Sequence, residues 1–230
     1  MNTTFSNMNS DLLYEMERIP DAYNIIKLFY KDIDVDNDVK YMDWNTTEGR
    51  RKQRKDIDLE FMHGMGKVKL SCKFRAGSYG DSIPDIMLET ANIYKGERTL
   101  GSIRKSEADY CMYINDKHAI IYDAHRMRIV FENIQKYIDA VDFNKHNFKL
   151  GRSMGKYNTG LKKDELIDIN IFGKNYKVSL FRTYSKNPNT GDTWLTEAIL
   201  FPIDFLKDFK IPYYVVNNYK TTPKITYINS

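Results

Sequence analysis

The chain has 230 residues, of which 42% are hydrophobic and 13% aromatic, enough for one large domain with a real core. A formal net charge of +4 with 29% charged residues is mildly basic and does not by itself imply a nucleic-acid partner. Two cysteines, Cys72 and Cys111, sit among apolar neighbours with no CxxC or HxxxH spacing, which argues against a disulfide framework or a zinc site and suits a reducing compartment. The opening MNTTFSNMNS lacks a basic-then-apolar leader pattern and no apolar run reaches ~18 residues, so the expectation is a soluble cytoplasmic protein with no membrane partner.

Residues 1–10 read as disordered or loosely packed. Asp11 to Tyr30 reads as helix, because Leu12, Leu13, Met16, Ile19, Ile25, Ile26 and Phe29 recur at three- and four-residue spacings; Pro20 divides it. Glu15 on its first piece could lean over a sheet as a further metal contact, although a solvated helix residue is the plainer account. KDIDVDNDVK is not an EF-hand, since it lacks a glycine at the sixth position from Asp32 and a glutamate at the twelfth. It reads as an acidic loop ending in a short strand, and TTEGRRKQRK follows as a polar, mobile connection. Gly49 to Lys55 holds five cations, Arg50, Arg51, Lys52, Arg54 and Lys55, a block suited to a polyanion but equally to a solvated surface run.

The central stretch runs from Gln53 to Glu89. In RKDIDLEF, Ile57, Leu59 and Phe61 alternate with Asp56, Asp58 and Glu60, the period of a half-buried strand. HGMGK supplies a tight turn. VKLSCKF alternates again, with Lys69, Ser71, Lys73 and Arg75 on the polar side. If these strands pair, Asp58 and Lys73 share one polar face. DIMLETANI is expected as a third, neighbouring strand bringing Asp85 and Glu89. Farther on, ADYCMYIND and HAIIYDA read as a hairpin, and RMRIVFENIQKYIDAV as a helix packed across the sheet. Residues 142–160 are basic and glycine-rich, and Lys145, Lys149, Arg152 and Lys156 could track phosphates. LKKDELIDI reads as a short helix, NIFGKNYKVSLFRTY as a hairpin, and DTWLTEAILFPIDFLKDF as strand then helix. The last twenty residues read as a partly ordered tail.

Carboxylates and a lysine on neighbouring strands suit phosphodiester hydrolysis. A divalent cation bound by oxygen ligands lowers the pKa of a water, and a lysine orients that water or neutralises the phosphate. On this chemistry Asp58 and Glu89 are the metal ligands and Lys73 the cationic helper. Asp56 rivals Asp58, and Gln53 could hydrogen-bond the water or the phosphate. Asp109 reads as a structural hydrogen bond, and His63, His118, His125 and His146 form no set.

The order Gln53, Asp56, Asp58, then Lys73-Phe74-Arg75, then Asp85-Ile86-Met87-Leu88-Glu89, Lys105 and Ala108-Asp109-Tyr110 resembles the PD-(D/E)XK nuclease superfamily, in its small phage and bacterial members. The resemblance spans roughly residues 50–125. It implies an α/β fold with a central mixed β-sheet flanked by helices, restriction-endonuclease-like, in a core of residues 1–150. Residues 151–230 would form a C-terminal α+β extension packed on that core. It further implies a Mg²⁺ (or Mn²⁺)-dependent endonuclease acting on nucleic acid, DNA in the first place, in the host cytoplasm if phage-encoded. Arg75 would join the block Arg50 to Lys55 on the nucleic acid, and a homodimer would allow both strands to be cut. The chain departs from the family where an acid normally stands two residues before the lysine: Ser71 is there, able to offer only a hydroxyl. That keeps two alternatives open, a catalytically silent nucleic-acid- or protein-binding module on the same fold, and a plain interaction protein using its aromatic tail.

Overall fold

The computed structural model describes residues 6–74, 85–143, 145, 149–150, 166–186 and 191–229. In chain order, β1 (Ser6–Asn7) leads into α1 (Met8–Phe29), α2 (Val35–Asp38), β2 (Lys40–Tyr41), α3 (Thr47–Gln53), β3 (Leu59–His63) and β4 (Gly66–Phe74). There follow β5 (Ile86–Tyr94), β6 (Glu97–Leu100), α4 (Ser102–Lys105), β7 (Tyr110–Ile114), β8 (His118–Asp123) and α5 (Ala124–Asp139). Beyond these come β9 (Lys149–Leu150), β10 (Leu166–Ile171), β11 (Lys174–Lys186), β12 (Thr193–Phe201), α6 (Asp204–Asp208), β13 (Tyr213–Asn217) and β14 (Lys224–Ile228). The class is α/β, with two mixed sheets and flanking helices where one central sheet was expected.

Two compact units interleave along the chain. The first is Met1–Glu17, Asp85–Arg104 and Phe131–Pro202; the second is Arg18–Pro84, Lys105–Val130 and Ile203–Ser230. The units therefore do not part at residue 150.

The second unit holds the sheet β14-β13-β8-β7-β4-β3-β2. The β3–β4 hairpin forms as the alternation predicts, with Leu59 opposite Leu70 and Phe61 opposite Val68, around a turn in which Gly64 takes a φ of 58°. β4 and β7 pair in parallel, Ser71 beside Cys111 and Lys73 beside Tyr113. Parallel neighbours need a long crossover, and here the chain between them supplies β5 and β6 to the other unit. One face of the sheet buries Leu59, Phe61, Leu70, Cys72, Met112 and Ile114 against Ile19, Ala22, Ile25 and Ile26 of α1. These helical positions fall on one stripe, and each buried aliphatic side chain contributes about 1.5–3 kcal/mol. Helix α1 runs through Pro20 instead of dividing there; proline removes one backbone donor and does not oblige the helix to end.

Two further expectations change in this unit. TTEGRRKQRK is not a mobile connection, since Thr47–Gln53 forms α3, with the Thr46 hydroxyl capping it by accepting from Gly49 N at 2.9 Å. The C-terminal residues are not a loosely ordered tail. β13 lies between β14 and β8, and Ile211, Tyr213, Val215 and Val216 are buried. Burying those four side chains is worth about 6–12 kcal/mol, comparable to the whole stability of a domain. A chain ending at residue 210 is therefore expected to lose its cooperative thermal transition by circular dichroism; a sigmoidal melt at the full-length midpoint would show that β13 is dispensable.

The first unit holds the sheet β1-β11-β12-β5-β6, with β9 and β10 also pairing with β11. β5 thus joins β12 and β6 and is not a neighbour of β3 or β4. Leu166–Ile171 is strand β10 and not the end of a short helix; Leu161 to Glu165 lie outside the described residues. Ile169 and Ile171 are buried between exposed Asp168 and Asn170, so a period of two prevails there.

Candidate functional site

Asp56, Asp58 and Lys73 come together where the chain leaves α3 for β3 and where β4 ends. Asp56 follows the helix in the left-handed region, with φ 58°, and its N–H donates to Gln53 O at 2.9 Å. Aspartate tolerates that conformation better than most residues. Asp58 extends the β3 ladder: its N–H donates to Leu70 O at 2.8 Å, and its Oδ2 accepts from Cys72 N at 2.7 Å. Lys73 Nζ donates to Asp56 Oδ1 at 2.5 Å.

The polar face of the hairpin is not a wet face. Asp56 and Glu60 are buried and Asp58 is partly buried. Carboxylates taken out of water need cations, and they have them: Lys73 for Asp56, Lys52 and Lys67 for Glu60. Asp58 is the least compensated. Burial pushes its carboxyl up to about 6, with Lys73 pulling it down, Asp56 raising it further and the Cys72 N–H lowering it. Burial alone would depress the Lys73 ammonium, but Asp56 and Asp58 more than offset this and hold its pKa well above the ordinary value.

The parallel pairing of β4 with β7 supplies a wall that the sequence did not disclose. Cys111 and Tyr113 stand beside Ser71 and Lys73, and Tyr113 stacks at 6.0 Å on Tyr122 of β8. Burial pushes the Cys111 thiol up to about 12, Asp56 adding to it and Lys73 opposing, so it is a protonated wall residue and not a nucleophile. Both cysteines are buried free thiols.

The remaining sequence candidates have other partners. Glu89 sits on β5 in the first unit, where Oε1 accepts from Asn92 Nδ2 at 2.5 Å and Ser102 N at 3.2 Å. Glu15 lies on the part of α1 assigned to the first unit. Gln53 Nε2 donates to Met42 O at 2.7 Å, fixing α3 to the chain before it. Ser71 is fully buried. Asp109 ties β7 to β4, its Oδ2 accepting from Lys69 N at 2.8 Å.

Among the cations, Lys55 pairs with Glu107 at 2.6 Å, and Arg50 donates to Trp44 O and Asn45 O, each at 3.3 Å. Lys52 is taken by Glu60. Arg51 and Arg54 remain exposed, with no ion pair among the described residues. Lys145 pairs with Asp142 at 3.4 Å; Arg75, Arg152, Lys156 and His146 lie outside the described residues, and the side chain of Lys149 does as well.

No three His, Cys, Asp or Glu side chains converge as a metal-holding group among the described residues. The cluster is thus two carboxylates and one lysine. No described helix is long and apolar enough to cross a membrane. Comparison of the chain with protein-family models, with curated proteins and with solved structures finds no match.

Proposed function

We propose that the chain is a metal-dependent endonuclease of the restriction-endonuclease-like kind, hydrolysing phosphodiester bonds in nucleic acid, DNA in the first place, with Asp56, Asp58 and Lys73 as its site. The supporting observation is the Lys73–Asp56 ion pair with a second aspartate, Asp58, beside it, bonded to a backbone N–H and not to the lysine. Two carboxylates against one ammonium leave a net negative site; burial first, and then the neighbouring Asp56, raise the Asp58 carboxyl, and Lys73 offsets this only in part. A hard divalent cation fits such a donor set, because Mg²⁺ takes one or two carboxylates and keeps several waters.

Asp58 and Asp56 would hold Mg²⁺ or Mn²⁺, which when bound lowers the pKa of a water and polarises the scissile phosphate. Lys73, always charged in this setting, is fixed by Asp56 and stabilises negative charge developing on the phosphate oxygens. Tyr113, Tyr122 and Cys111 form a buried, uncharged wall beside the strand that carries Lys73. Arg51 and Arg54 are the cations left to meet the backbone of the nucleic acid. In this reading the protein works in a reducing cytoplasm, a compartment that suits its two buried free thiols.

Metal binding can be measured apart from cleavage. Adding 100-fold more Mg²⁺ than its dissociation constant should stabilise the wild type by about 2–3 kcal/mol, roughly 4–10 °C in midpoint, and leave Asp58→Asn unshifted. Equal shifts in both proteins would remove Asp58 from the site. The second reading, a silent nucleic-acid-binding module, is favoured by the buried Ser71 hydroxyl where the resembled family carries an acid. No Mg²⁺ shift and no cleavage, with salt-sensitive DNA binding retained, would decide for it.

A further inference from the structure

We propose that a second site, a cavity of about 400 Å³ lying wholly within the first unit, binds the phosphate monoester of a nucleotide-sized ligand. None of its residues belongs to the proposed nuclease site, so the two claims stand separately. Three arginines line it, Arg98, Arg104 and Arg182. They come from β6, from α4 and from β11, brought together by the pairing of β5 with β12 and of β12 with β11.

The guanidinium groups are set by their neighbours. Arg182 Nε and Nη2 both donate to Glu197 Oε1, at 2.9 and 2.5 Å, and its guanidinium lies 5.4 Å from the centre of the Phe143 ring. Arg98 Nη1 donates to Glu197 Oε2 at 2.5 Å while its side chain stays 51% exposed. Arg104 lies over Phe131 and reaches Asp139 with Nη2 at only 3.3 Å. Its Nε is buried and finds no hydrogen-bond partner among the described residues.

A buried guanidinium N–H without an acceptor is costly, and a planar fork is suited to an oxyanion. The acids present do not meet that need. Glu197 is already engaged by Arg98 and Arg182, Asp139 accepts from Gln135 Nε2 at 2.8 Å as well as from Arg104 Nη2, and Asp142, the third acid lining the cavity, pairs with Lys145 at 3.4 Å. A ligand oxyanion supplies the missing acceptors. Arg104 is recessed, with 12% of its side chain exposed, so a terminal phosphate can reach it where the internal phosphodiester of a duplex cannot. The volume falls in the range of small-molecule sites and accommodates a mononucleotide.

Calorimetric titration of the full chain with AMP, inorganic phosphate and adenosine separates the contributions. AMP should bind saturably, inorganic phosphate about tenfold or more weakly, and adenosine not at all. Arg98→Gln should weaken AMP at least about tenfold; because it also takes the guanidinium donor from Glu197 Oε2, the titration is made at a temperature where circular dichroism shows the variant folded. Arg104→Lys, which retains charge but loses the planar fork, should weaken it as well. Absence of binding by AMP, equal binding by adenosine, or unchanged affinity in Arg98→Gln would each overturn the assignment.

Discussion

Lys73→Met should cost about 2–4 kcal/mol of folding stability in urea titration. The substitution leaves Asp56, 9% exposed in its side chain, ionised without the ammonium at 2.5 Å, and beside it a second carboxylate already short of positive charge. Breaking a buried pair from one side is more damaging than removing both partners, and Lys73 is itself 24% exposed, which keeps the figure below that of a fully buried pair. The double substitution Lys73→Met with Asp56→Asn should therefore recover at least about 1 kcal/mol of that loss. Asparagine is the appropriate control because it also accepts the left-handed conformation at φ 58°. A loss under about 0.5 kcal/mol for Lys73→Met would mean that the ion pair does not organise this corner of the sheet.

Asp58→Asn should change the pH dependence of stability in a definite direction. The folded carboxyl titrates at about 6, against an ordinary value of 3.8. Between these values the folded state binds the proton more tightly than the unfolded state, so this group makes the wild type lose stability as pH rises from about 4 to about 6. Above that window the ionised carboxylate carries the full penalty, up to about 3 kcal/mol at 1.36 kcal/mol per pH unit. Asparagine keeps an oxygen for the Cys72 N–H and carries no charge. Relative to wild type the variant should therefore gain stability from pH 4.5 to pH 7.5, measured by urea unfolding at each pH. Parallel curves for the two proteins would show that Asp58 is not held in an unfavourable charged state. If the proposed nuclease reading holds, the same variant should also lose cleavage, gaining stability as it loses activity.

Local pattern disclosed what local pattern can fix. The β3–β4 hairpin was legible because Ile57, Leu59 and Phe61 alternate with acids and a glycine turn follows, and the pairing places Asp56, Asp58 and Lys73 at one end of it. The β7–β8 hairpin and α5 were legible for the same reason, a clean period on each side of a turn. What depends on distant pairing was not. The stretch DIMLE looks like a third strand beside its predecessors, yet it pairs with β12, more than a hundred residues away, because its buried Ile86 and Leu88 are matched by Ile199 and Phe201 of that strand. That pairing carries Glu89 into the first unit. β13 was hidden by its two tyrosines and its asparagine, polar-looking in sequence but buried at Tyr213, Val215 and Val216 once β8 offers an edge. The Arg98, Arg104 and Arg182 cavity had no sequence signature, since its members come from three separated elements.

The role proposed for Lys73 is to act on a phosphodiester beside a cation held by Asp56 and Asp58. It is tested most directly by incubating supercoiled plasmid with wild type and with Lys73→Met, each in Mg²⁺ and in EDTA, at a temperature where circular dichroism shows both proteins folded. Wild type should convert the plasmid to the nicked form in Mg²⁺ and not in EDTA, and the variant should do so at least about a hundredfold more slowly, the scale on which loss of one charge-stabilising group acts. Equal nicking by the two proteins would contradict it.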